Sequence, residues 1–191
     1  LILLGGRSDY TPQELAPLNI PYVCCSYDNQ YGTLPPDSYA SVSIADEEEA
    51  CRAVTELYRC GHRRIAALVS GTEDRSISQL RYQGYVRALA AHGLPLEQEL
   101  VIEAGSFDIR QSYLAMQRRL LAGAQFTALF AISDNMAIGA MRALREAGRR
   151  IPEDCSVIAI DGLTISDYIN PTLTTLCQPM EHMGRRSVEI L

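Results

Sequence analysis

Apolar residues recur along the middle of the chain in two alternating rhythms. In residues 47–59 they fall at Ala50, Ala53, Val54, Leu57 and Tyr58, the spacing of one face of a helix. Asp46 is placed to cap that helix, three glutamates favour its positive end, and Gly61 is placed to close it. Residues 65–69 then form a short unbroken apolar run of strand length. The same succession repeats: a helix over residues 78–92 stopping at Gly93, a strand over 100–104, and a helix capped by Asp108 and running to Leu121. A strand over 128–132, a helix capped by Asp134 and ended by Gly148, and a strand over 156–160 follow. Strands alternating with helices predict right-handed βαβ units around a parallel sheet. Continuous apolar strands, rather than alternating ones, predict a sheet covered on both faces.

The flanks carry only pieces of this pattern. Residues 1–4 and 22–25 are apolar strand candidates followed by a loop rich in Tyr, Pro and Gly. Residues 163–191 read as a loop, a strand over 174–177, Pro179 and a last amphipathic helix. The economical division places residues 45–162 in one lobe and assigns residues 1–44 and 163–191 to a second, incomplete one. Both ends read as cuts: LILLGG carries no Met or basic leader before it, and GRRSVEIL stops inside a helix.

Composition narrows the function classes. Of 191 residues, 47% are apolar, enough for a substantial core, and the net charge is −6. A pI near 5.1 denies the chain the cationic field that contacts phosphates, so it is a poor nucleic-acid binder by itself. No apolar run approaches the roughly 18 residues of a membrane span. Cys24, Cys25, Cys51, Cys60, Cys155 and Cys177 form no C-x-x-C pair and suit neither a zinc site nor a disulfide scaffold. They read as reduced thiols of a cytoplasmic protein. No catalytic, Walker or dinucleotide glycine motif occurs, so neither a catalytic residue nor a cofactor or metal is expected.

Polar groups gather beyond the carboxyl end of each expected strand, and in a parallel sheet those ends share one edge, where open α/β folds bind ligands. After Val69 comes SGTEDRSISQLR with Arg75 and Arg81; after Ala104, Phe107; after Ile132, Ser133 and Asp134; after Ile160, Asp161. Carboxylates accept from hydroxyls, a guanidinium donates to oxygens, and a ring covers an apolar sugar or base face. Each residue also has a structural reading. Asp134 and Asp108 serve as helix caps, Asp161 as a turn residue, Phe107 as core, Arg81 as a solvated helix residue, and Arg75 as a partner of Glu73 or Asp74.

Five collinear motifs carry a resemblance: GHRRIAAL at residues 61–68, RYQGYVRAL at 81–89, SDNMAIGAMRAL at 133–144, IPEDCSVIAIDG at 151–162 and PTLTTLCQPM at 171–180. In these the chain resembles the effector-binding domain of the lactose/galactose-repressor (LacI/GalR) family of bacterial transcription regulators. The resemblance implies a periplasmic-binding-protein-like fold of type I, with two Rossmann-like lobes of parallel sheet flanked by helices and ligand in the cleft between them. It implies a homodimer and a helix-turn-helix DNA-binding domain upstream of Leu1, through which operator DNA would be bound. By position, Arg81 matches the family's oxygen-gripping arginine, Asp161 its hydroxyl-accepting aspartate, Phe107 its cleft aromatic and Ser133 its cleft polar residue ahead of Asp134. Arg75 falls where some purine-type members contact effector, and Tyr27 where an aromatic lines the opposite wall. The chain departs from the family at Ala45–Asp46, at Ser26 and at Gly162, where Asp-Asn, an acid and a second Asp are common. The implied effector is a sugar, a sugar phosphate or a purine. A periplasmic solute-binding protein for sugar transport is the alternative on the same fold, and an α/β hydrolase or transferase a third reading.

Overall fold

The computed structural model describes all 191 residues. The chain divides into two compact units. The larger comprises Glu47–Asp74 and Ser78–Cys177. Its sheet has five parallel strands: β4 (Ile65–Val69), β5 (Val101–Glu103), β6 (Ala128–Ala131), β7 (Ser156–Asp161) and β8 (Thr174–Cys177), in the order β5-β4-β6-β7-β8. Every residue of β4 and β6 is buried, as their unbroken apolar sequences require of central strands covered on both faces. The connecting helices are α2 (Asp46–Arg59), α3 (Ile77–Ala91), α4 (Ile109–Leu121) and α5 (Asp134–Glu146). Two glycines set how closely helices pack. Gly84 of α3 lies against the Glu47 carbonyl oxygen, and Gly139 of α5 against that of Ile109; a Cβ at either would come within 2.2 Å of that oxygen.

The smaller unit comprises Leu1–Asp46, Arg75–Ile77 and Gln178–Leu191. It holds a three-stranded parallel sheet, β1 (Ile2–Leu4), β2 (Val23–Cys25) and β3 (Ala40–Val42), with α1 (Pro12–Leu15) and α6 (Met180–Ile190).

The alternation of elements follows the apolar rhythm, with shifts of a residue or two at the ends. Three expectations need correction. Residues 163–177 belong to the larger unit, not to the smaller one, because β8 adds to the sheet beside β7, in register from Ile158↔Thr174 to Asp161↔Cys177. The expected loop before residue 45 contains a third strand, β3, which reads Ala-Ser-Val with an exposed serine at its centre and so lacks the apolar run that marks the other strands. The cap of α5 is Ser133, whose hydroxyl accepts from the Met136 amide at 3.3 Å; Asp134 is the first helical residue.

Candidate functional site

The carboxyl ends of β4 to β8 line one edge of the larger sheet, and the side chain at its centre is Arg81. It projects from the second turn of α3 and is only 2% exposed. One guanidinium nitrogen, Nη1, donates to the Ile132 carbonyl oxygen, at the end of β6, and to Asp161 Oδ1, at the end of β7, at 3.2 Å. A guanidinium taken from water needs such a partner, since an uncompensated buried charge is strongly destabilising. The structural reading of Arg81 as a solvated helix residue does not hold: its head is fixed across the ends of two neighbouring strands, β6 and β7. Asp161 keeps 20% of its side chain exposed, so the carboxylate still meets solvent. It also adopts a φ of +152°, unusual for a residue with a side chain. Sparsely populated backbone conformations of this kind concentrate at ligand sites.

A buried network holds Asp161 in place. Asp134 is fully buried. One of its carboxylate oxygens accepts from the Leu163 amide and the Ser166 hydroxyl, both at 2.7 Å, and the other from the Thr175 hydroxyl at 2.5 Å. Thr175 in turn accepts from the Gly162 amide at 3.2 Å. The turn after β7 is thus pinned from α5 and β8 at once. Gly162 has φ +75°, and a Cβ there would come within 2.6 Å of the Cys177 sulfur, so this turn admits glycine and not the second Asp common in the family. With its carboxylate engaged by three donors and closed to solvent, Asp134 is a structural anchor, not a ligand-contacting residue. Nothing in the sequence separates that role from capping, because Ser166 and Thr175 are 32 and 41 residues away.

The other expected residues distribute as follows. Ser133 is buried and spends its oxygen on the α5 cap. Phe107 stands on the same edge, in the loop after the outer strand β5, and is 39% exposed, so it is not core. Asp108 caps α4, accepting from the Gln111 amide at 2.9 Å. Arg75 (φ +52°) and Tyr27 belong to the smaller unit. Tyr27 is 1% exposed; burial, and next the Cys24 thiol beside it, push the phenol's pKa up. The buried hydroxyl of Ser8 in the same unit is unpartnered. Ser78 is a residue that sequence reasoning missed. Its hydroxyl accepts from the Ser70 and Gly71 amides at 3.0 Å each and donates to the Gly71 carbonyl oxygen at 2.7 Å, which shapes the loop after β4.

The six cysteines are free thiols. No group of His, Cys, Asp and Glu in the structure could hold a metal ion, and no helix is long and apolar enough to cross a membrane.

Comparison with known proteins extends this picture. Residues 54–191 match the family model of the periplasmic binding protein-like domain. The HTH-type transcriptional regulator CelR of Thermobifida fusca is 35% identical over all 191 residues, which make up 55% of its own length. A solved complex of a transcriptional regulator CelR with cellobiose superposes with a TM-score of 0.87 at 34% identity, covering 100% of this chain and 57% of that one. A LacI-family transcriptional regulator from Mycobacterium smegmatis superposes with a TM-score of 0.80 at 30% identity, covering 98% of this chain and 67% of that one. The chain spans about half the length of the curated relatives it matches. From the parallel sheets to the matched sequences, these findings agree: the chain belongs to the periplasmic binding protein-like domains of the LacI family of transcriptional regulators.

Proposed function

We propose that this chain is the ligand-sensing part of a bacterial transcription regulator, and that a small polar effector docks at the sheet edge marked by Arg81 and Asp161. The observation that carries the reading is that ion pair. A guanidinium buried across two strand ends orients a carboxylate that remains open to solvent. A rigid acceptor of this kind suits hydroxyl groups, and Phe107 supplies a face for an apolar patch of ligand. Ser133 fixes the start of α5 beside the pair. Tyr27, 1% exposed, has no surface to offer an effector and drops out of this reading.

The effector is bound and released without turnover, in keeping with relatives that are transcription regulators along the whole chain. Binding shifts a conformational equilibrium that is read out as altered operator affinity by a DNA-binding domain outside this chain. A coupling of about 1–3 kcal/mol corresponds to a change of roughly 5–150-fold in that affinity. The regulator acts in the cytoplasm as a homodimer. Ile165 and Tyr168, exposed on the segment between β7 and β8, offer apolar surface for a second copy. Transport of a solute is the weaker reading, because the relatives that match along the chain are transcription regulators.

The test is a thermal-shift screen of mono- and disaccharides and nucleobases, with hits titrated by calorimetry against Arg81→Gln and Asp161→Asn. Each variant is expected to weaken binding by about 10–150-fold, the worth of a charged hydrogen bond, while circular dichroism stays native. Unchanged affinity in both variants would remove the site.

A further inference from the structure

The Asp161 carboxylate is presented by a stretch of backbone that must itself be held in place. We infer that Thr175, on the outer strand β8, is a positioning residue for the effector: its hydroxyl fixes the turn that presents Asp161, without touching ligand. The inference rests on the reading of this edge as the effector site and extends it to a residue that acts through the backbone.

Asp161 ends β7 with a φ of +152°, and Gly162 follows at +75°. A residue with a side chain keeps such a conformation only where its surroundings over-determine it. The restraints come from β8 and α5. Asp161 stands opposite Cys177 in the parallel register, and the next amide, that of Gly162, donates to Thr175 Oγ1 at 3.2 Å. One residue further on, the Leu163 amide donates to Asp134. A threonine hydroxyl has one proton, and here it goes to Asp134 Oδ1 at 2.5 Å. Drawing that proton toward a fully buried carboxylate makes Oγ1 a better acceptor for the Gly162 amide, because hydrogen bonds in a chain polarise one another. Two grips therefore act on Asp161 from different sides. Arg81, on α3, holds the carboxylate, and Thr175 holds the backbone beside it.

This role separates from the stability that Asp134 supplies. Loss of the Thr175 hydroxyl leaves Asp134 bonded to the Leu163 amide and the Ser166 hydroxyl. The Gly162 amide, in contrast, loses its side-chain acceptor, and the turn is free to relax. Asp161 then takes up ordinary extended backbone in most molecules, and effector binds only the fraction that keeps the presenting pose. The apparent dissociation constant rises by the inverse of that fraction, so a fraction of about one tenth weakens binding about 10-fold. Thr174 is a control in the same strand. It is exposed, and alternation along β8 turns its side chain to the opposite face of the sheet.

The experiment compares Thr175→Val, Thr175→Ser and Thr174→Val in the intact protein. The three-bond coupling between the amide and α protons of Asp161, read by NMR, reports φ and needs no ligand. The small coupling that belongs to a φ of +152° is expected in the unaltered protein, in Thr175→Ser and in Thr174→Val. In Thr175→Val it should move toward the large coupling of extended backbone; an unchanged value overturns the inference by itself. Calorimetric titration with glucose, cellobiose, ribose and adenosine, at a temperature where every variant is folded, adds the affinity. A probe that binds the unaltered protein should bind Thr175→Val about 10-fold more weakly, with Thr175→Ser and Thr174→Val staying within about 2-fold. Should Thr175→Val not fold, Thr175→Cys takes its place, since a thiol is only a weak donor and acceptor. Equal affinities in Thr175→Val and Thr175→Ser, or an equal loss in Thr174→Val, overturn the inference. Arg81→Gln and Asp161→Asn separate the two levels. A probe weakened by both of these and indifferent to Thr175→Val leaves the site standing and removes only the positioning role. A probe indifferent to all three removes the site itself.

Discussion

Replacing Asp134 by alanine tests whether this buried carboxylate anchors the site or touches ligand. The substitution removes the acceptor for three donors, the Leu163 amide and the hydroxyls of Ser166 and Thr175, at a position with no access to water. Leaving a buried polar group unpaired costs about 1–3 kcal/mol. The two hydroxyls can rotate and recover part of the loss, whereas the Leu163 amide cannot. The expected destabilisation is therefore about 3–5 kcal/mol, the range for a broken buried network. For a chain of this size that corresponds to roughly 6–20 °C in melting temperature. Asp134→Asn retains one oxygen for Leu163 and Ser166, and Thr175 can turn to accept from the new amide. Its cost should be smaller, about 1–2 kcal/mol. Urea denaturation followed by circular dichroism measures both. A loss below about 1 kcal/mol in the alanine variant, or a variant of full stability that no longer binds effector, would refute the anchoring role. Asp134 would then be a ligand contact after all.

Two further perturbations examine the frame around the site. Gly84→Ala places a methyl group 2.2 Å from the Glu47 carbonyl oxygen and 2.7 Å from the Ala50 methyl. The strain, about 1–3 kcal/mol, should outweigh the gain of up to about 1 kcal/mol in helix propensity, so the urea midpoint falls; a raised midpoint would contradict the α2–α3 contact. His62, bonded through Nδ1 to the Thr127 hydroxyl at 2.9 Å, has its pKa lowered by burial below the ordinary 6.5. The unfolded chain therefore takes up the proton more readily, so the His62 contribution is complete above that value and is lost as the pH falls through it to the folded one. His62→Gln should flatten the decline in melting temperature between pH 7 and pH 5, and an unchanged slope would exclude His62 as its source.

Much of the larger unit was legible because its strands are long apolar runs between helices with clear start and stop residues. β4 and β6 are buried at every position, and Gly61, Gly93 and Gly148 take the positive φ that a helix-ending glycine adopts. β3 was not legible: β1, β2 and β5 are as short, but β3 has an exposed serine between its two apolar residues and no apolar run. The place of residues 163–177 was hidden for a different reason. Whether a strand joins one sheet or another depends on its pairing partner, and pairing with β7 leaves no mark in the four residues of β8. At the site, residue type and position beyond a strand were enough to suggest that Arg81 and Asp161 share an edge. Their direct pairing, 80 residues apart in sequence, emerges only in three dimensions. The cap of α5 was assigned to Asp134 rather than Ser133 because adjacent Ser and Asp are both good helix caps, and only the donors from Leu163, Ser166 and Thr175 tell them apart.

The central claim is that a small molecule is held at the carboxyl edge of the larger sheet by Arg81 and Asp161. A crystal structure of the protein with a sugar selected by calorimetric titration tests it most directly. The account predicts ligand density over the ends of β4, β6 and β7, with ligand oxygens within hydrogen-bonding distance of both side chains. A sugar seated elsewhere, with the Arg81–Asp161 pair untouched, would contradict it.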